Sequence, residues 1–97
     1  SQLKYSNYLS DIRCSLLDHL AVSESTELTA FELWGIIKSQ RKEINEISTA
    51  EFWRRLGIPI RGTALEKVWR VVERLDLDYT AIDFFKDGSE ARLTFEL

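Results

Sequence analysis

Methionine is absent from these 97 residues, and cysteine, histidine and proline each occur once. A lone Cys14 excludes an intrachain disulfide, and a lone His19 without ligand-spaced partners removes the usual basis for a metal site. The two lie five apart on a helical stretch, nearly opposed in azimuth, so they do not form a cysteine-histidine nucleophile pair. The four glycines form neither a phosphate-cradling loop nor a nucleophile elbow. Asp76 and Asp78 sit near a helix end, and two acids in a turn do not make an acid-base pair. No apolar run approaches the roughly 20 residues that span a bilayer, and no basic-then-apolar leader is present. These absences predict a soluble, non-enzymatic domain without metal, cofactor or membrane partner. A single thiol fits a reducing compartment, which predicts an intracellular location, cytoplasm or nucleus.

Apolar residues make up 44% of the chain, enough for one core and one domain over residues 1–97. The start at Ser1, the missing methionine and the strand-like ending Leu93 to Leu97 predict a piece of a longer protein. Net charge is −3, which argues against a generally polybasic binder, but its distribution is uneven. From Phe52 to Arg74, Arg54, Arg55, Arg61, Lys67, Arg70 and Arg74 outweigh Glu66 and Glu73, leaving +4. From Leu75 to Leu97, Lys86 and Arg92 face Asp76, Asp78, Asp83, Asp87, Glu90 and Glu96, leaving −4.

Three helix starts share one signature. Thr29 with Glu32, Ser48 with Glu51, and Thr63 with Glu66 each read as a capping box, in which hydroxyl and carboxylate satisfy orphaned backbone N–H groups. Leu28 with Leu33, and Ile47 with Phe52, occupy the positions of a hydrophobic staple. Upstream, Leu9, Ile12, Leu16 and Leu20 recur at helical spacing, with Leu3, Tyr5 and Leu17 widening the stripe, so a helix is predicted from about Leu3 to Ala21. Ser23 to Glu27 reads as a polar loop. The helix from Thr29 is expected to bury Phe31, Leu33, Trp34 and Ile37, and Glu43 to Ile47 is expected to be a very short strand or extended link. A third helix runs from Ser48 to about Leu56, stopped by Gly57, with Pro59 forbidding continuation. The fourth follows Gly62 and buries Leu65, Val68, Trp69, Val72 and Leu75. Beyond Asp78 the period becomes two, and Asp87-Gly88 suits a two-residue hairpin turn. That turn would set Ile82 opposite Leu93, Thr80 opposite Phe95, and Asp83 opposite Arg92.

The fold class expected is therefore mainly α with a small C-terminal β-hairpin. The order helix, link, helix, turn, helix, hairpin over Thr29 to Leu97 resembles a winged-helix domain, most specifically in Ser48-Thr49-Ala50-Glu51-Phe52-Trp53-Arg54-Arg55-Leu56-Gly57-Ile58 followed by Thr63 to Leu75. The resemblance implies a three-helix core over 29–75, a wing hairpin over 79–97 and an extra N-terminal helix over 1–22. Trp53 stands where such motifs usually place a small residue, and the Gly57 to Gly62 connection is longer than usual, which implies a splayed or shifted helix crossing.

Thr63, Lys67, Arg70 and Arg74 are spaced four, three and four apart, giving a positive stripe on the helix that the resemblance makes the recognition helix. It implies duplex DNA as partner, with Lys67, Arg70 and Arg74 at the groove and Arg54, Arg55 and Arg61 on phosphates. The plainer reading is a solvated helix face with ordinary i,i+4 pairs such as Glu66 with Arg70. RNA stays open, because phosphate attraction is common to both nucleic acids. A protein-interaction module is the alternative, using the acidic hairpin (Asp83, Asp87, Glu90) and the N-terminal helix with Tyr5 and Tyr8. Trp34, Trp53 and Trp69 sit at periodic apolar positions and are expected in the core rather than as base-stacking platforms.

Overall fold

A computed structural model describes residues 8–44, 46–82 and 91–97. Helix α1 (Tyr8–Ser23) buries Tyr8, Ile12, Leu16 and Leu20, one residue per turn. Its end is closed by two backbone bonds, Ser25 N–H to the Leu20 carbonyl at 3.1 Å and Glu24 N–H to the Ala21 carbonyl at 3.2 Å. These are the paired bonds of a Schellman stop, and they hold Glu24 at φ 53°, a position that glycine fills without strain. Leu3 and Tyr5, expected at the front of this helix, lie outside the described residues.

After a short turn over 24–26, within the polar loop expected there, strand β1 (Glu27–Thr29) takes in the loop's last residue and runs to the cap of the next helix. Three residues cannot sustain a strand alone. The stabilisation comes from β3 (Arg92–Glu96), which pairs antiparallel with β1, Leu28 opposite Leu93. Strand β2 (Asp78–Ile82) lies on the other side of β3, giving the order β1-β3-β2. The chain is thus mainly helical with one small antiparallel sheet of three strands.

Helix α2 (Ala30–Glu43) carries the complete capping box, with Glu32 N–H donating to Thr29 Oγ1 at 3.0 Å and Thr29 N–H donating to Glu32 Oε1 at 3.2 Å. Helices α3 (Thr49–Leu56) and α4 (Ala64–Arg74) keep only the first half of theirs among the described residues: Ser48 Oγ and Thr63 Oγ1 each accept one N–H at 3.1 Å. The link between α2 and α3 forms no strand in its described residues. Instead Arg41 of α2 donates to the Ile44 and Ile47 carbonyls at 2.8 and 2.5 Å, tying the link to the helix it leaves.

Two expectations about burial are overturned. Phe31 is 72% exposed, because α2 turns Ala30, Leu33, Ile37 and Gln40 inward and Phe31 falls off that stripe. In the hairpin, Ala81 faces Leu93, Tyr79 faces Phe95 and Ile82 faces Arg92, one residue away from the register that a two-residue turn would impose. An odd number of residues separates the paired Ile82 and Arg92, whereas a two-residue turn requires an even number. The shift inverts the strand's faces: Tyr79 and Ala81 pack against the core, while Ile82 is 55% exposed. Tyr79 gains ring contacts with Trp69 at 5.9 Å and with Phe95 at 6.3 Å, which threonine at that place could not make. Arg92 pairs with Glu27 of β1 at 3.1 Å; Asp83, the partner expected for it, lies outside the described residues, as does the Asp87-Gly88 turn.

The core joins all four helices to the inner sheet face, with Phe52, Ile12, Leu16, Leu33, Val71 and Leu93 fully enclosed. Gly57 stops α3 as expected, at φ 76°. A matched pair of substitutions isolates the backbone cost of the left-handed region. Gly57→Ala meets only Arg74 Nε at 3.8 Å, so crowding is absent and destabilisation should be about 1–2 kcal/mol from conformation alone. Glu24→Gly, at an exposed site, should stabilise by about 0.5–1 kcal/mol. Urea unfolding of both variants checks the opposite signs.

Candidate nucleic-acid interface on α3 and α4

The seven residues expected to meet nucleic acid divide by what the fold already asks of them. Lys67 is 7% exposed. It heads the row that continues to Val71, which is fully buried, so the helix turns Lys67 inward with it. The ammonium donates to the Gly62 carbonyl at 2.9 Å and lies 5.8 Å from the ring centre of Trp53. The expectation of a groove-facing lysine is corrected: Lys67 is a packing residue whose charge is spent on the connection between α3 and α4. The sequence stripe missed this because it counted the cations and left Val71 out.

Trp53, placed where a small residue was expected, packs inward between neighbouring aromatic rings. It is 5% exposed and stacks on Trp34 of α2 with ring centres 5.7 Å apart and planes 8° from parallel. Phe52 meets it edge-on at 5.2 Å. Lys38 stands 5.9 Å from the Trp34 ring, so two stacked indoles are flanked by two ammonium groups. Trp53 is buried and Trp34 and Trp69 are half-buried, each engaged with another aromatic ring.

Arg74 closes helix ends. Its guanidinium donates to the Arg70 carbonyl at 2.9 Å and to the Gly57 carbonyl at 3.2 Å, placing positive charge on the C-terminal carbonyls of α4 and α3, where helix dipoles favour it. Arg54 and Arg55 share the Glu51 carboxylate, Arg54 Nε donating to Glu51 Oε2 at 2.8 Å and Arg55 Nε to Glu51 Oε1 at 2.6 Å. Those two guanidiniums hold the Glu51 carboxyl down at about 2 from an ordinary 4.5. Thr63 caps α4 from an exposed position. Arg61 and Arg70 are exposed, and neither side chain has an ionic partner among the described residues.

Elsewhere His19 Nε2 and Glu32 Oε2 lie 3.2 Å apart, linking α1 to α2. The Thr29 backbone N–H, chiefly, holds the Glu32 carboxyl below its usual range. An open groove of about 720 Å³ runs between the end of α1 and Leu97, floored by Leu17, Leu20 and Ala21. Among the described residues no cluster of acids, histidine and cysteine could hold a metal, and no helix is long and apolar enough to cross a membrane. Comparisons with family models, with curated proteins and with solved structures give no match.

The division of cations is testable through stability. Arg70→Ala should shift unfolding free energy by less than about 0.5 kcal/mol, as at an ordinary surface site, whereas Lys67→Ala should lower it by about 1–2 kcal/mol through the lost packing of its stem. Glu51→Gln adds a pH signature. The lowered carboxyl contributes stability above pH 4.5 that disappears as pH falls toward 2. Wild type should therefore exceed the variant at neutral pH and converge on it across that window, measured by urea unfolding at each pH.

Proposed function

We propose that this chain is a duplex-DNA-binding domain of the winged-helix kind that grips phosphates from α3, α4 and their connection. The reading is carried by Arg61 and Arg70, two exposed guanidiniums without an ionic partner among the described residues. Arg54, whose side chain is 67% exposed, adds a third, because its pair with Glu51 is open to solvent and a phosphate can replace the carboxylate. The sheet order β1-β3-β2, with the hairpin following the last helix, supports the same resemblance. Lys67 leaves the groove set in this reading, and Arg74 stays with the helix ends it closes. With Arg70 on phosphate, base contact from α4 falls to the exposed Thr63, so phosphate contacts dominate affinity and sequence discrimination is modest.

Fluorescence anisotropy of a labelled mixed-sequence duplex, titrated with the domain across a salt series, tests this. Affinity should fall linearly in a log-log plot against salt. Replacing Arg61 and Arg70 together by alanine should lower the slope by about 2, and Lys67→Met should leave it unchanged. A duplex RNA bound equally well would assign the contact to phosphate in general. No binding at low salt would sink the proposal.

A further inference from the structure

The two edges of the sheet are finished differently. The bonds from Ala30 N–H to the Ala91 carbonyl and from Phe95 N–H to the Thr26 carbonyl, both 2.8 Å, show that odd-numbered β3 residues direct their backbone groups toward β1. In β1 the outward-facing residues are then Glu27 and Thr29, and side chains occupy their N–H groups. Ser25 Oγ accepts from Glu27 N–H at 3.1 Å and lies 3.2 Å from the Glu27 carbonyl. Glu32 Oε1 accepts from Thr29 N–H. This edge is sealed against strand addition.

On the opposite side, Arg92, Thr94 and Glu96 pair with Ile82, Thr80 and Asp78, so the peptide groups of Tyr79 and Ala81 point away from the sheet. Neither has a hydrogen-bond partner among the described residues. Beside them lies an aromatic ledge, Tyr79 meeting Trp69 edge-on, both half-buried. The rim is acidic: Asp76 lies just ahead of the strand, Asp78 opens it, and the Glu73 charge acts on the Tyr79 phenol. A second copy of this chain would bring two such rims together at like charge, which disfavours pairing of β2 with itself.

We propose that the β2 edge docks an extended, basic peptide segment as an added antiparallel strand, with apolar residues alternating with lysine or arginine. Antiparallel addition continues the pattern of the sheet. Residues of the segment opposite Tyr79 and Ala81 exchange both backbone bonds with them and lay their side chains on the aromatic ledge, so these are the apolar ones. The basic residues project toward the face carrying Asp78 and Thr80.

The test uses an acetylated, amidated eight-residue peptide alternating valine and lysine, titrated into the domain by isothermal calorimetry. N-methylation of the valine amides removes the N–H groups that face β2 and should weaken binding at least tenfold. N-methylation of the lysine amides, which face away, should change it less than about threefold. Ala81→Pro deletes an outward N–H without touching a bond to β3, so the far-UV circular dichroism should persist while affinity falls at least tenfold. Should that variant unfold, the doubly neutralised Glu73→Gln, Asp78→Asn serves instead, with weaker binding and a shallower salt dependence. Equal losses for both methylated peptides, or full affinity in the folded Ala81→Pro variant or the neutralised one, would overturn the proposal. So would a concentration-dependent dimer in sedimentation that Ala81→Pro abolishes, since the occupant would then be a second copy. Replacing Arg61 and Arg70 leaves peptide affinity unchanged, which separates this edge from the phosphate-binding face.

Discussion

Strand β3 is the constraint on which the molecule depends. Its inward residues Leu93 and Phe95, with Ala91 just ahead, are at most 2% exposed, and its two ladders hold the start of α2 on one side and the end of α4 on the other. A three-residue β1 exists only because β3 offers it a template. Once β1 is paired, Thr29 is placed as both the last strand residue and the N-cap of α2, so one residue ends a long-range ladder and begins a local helix. The alternation of β3 also decides which peptide groups of β1 and β2 face outward. The sealed edge and the open edge are therefore two consequences of one strand's register.

The same logic governs the cations. A helix of eleven residues that packs against α2 and Trp53 has little circumference left over, and its buried row includes Lys67. Burying an ammonium is costly unless it is bonded, and the Gly62 carbonyl and the Trp53 ring supply what water would have given. Arg74 answers a different need, since the carbonyls at a helix end have no intrahelical donor and two such ends converge on it. Packing and capping thus claim charges that a count along the sequence leaves at the surface.

What was legible in the sequence was local. Each cap at Thr29, Ser48 and Thr63 involves groups within three residues, and Gly57 stops a helix by its own backbone freedom, so these features need no knowledge of distant partners. What was illegible depended on distance in the chain. Strand β1 needs a partner more than sixty residues away, and the observed hairpin register brings Tyr79 to Trp69 and Phe95, contacts that a reading of the strand and turn residues alone does not weigh. Phe31 and Lys67 were misjudged for complementary reasons: an apolar residue adjacent to a stripe was counted into it, and a charged residue within one was counted out. One miss was local: the Glu51 carboxylate goes to Arg54 and Arg55 of its own helix, so among the described residues it does not return to the Ser48 cap.

A net charge of −3 says little about either candidate surface. At physiological ionic strength the Debye length is about 8 Å, so an approaching phosphate or ammonium responds to nearby charges that are not already matched. Arg61 and Arg70 belong to the segment from Phe52 to Arg74, in which six bases outnumber two acids, whereas along β2 the nearby charges are Glu73, Asp76 and Asp78. The two ends of α4 belong to these opposite environments: Thr63 caps the end that follows Arg61, and Glu73 lies at the end that leads into Asp76 and Asp78. A single short helix thereby spans a basic region and an acidic one. The two ligands proposed, of opposite charge, would then be met through different side chains.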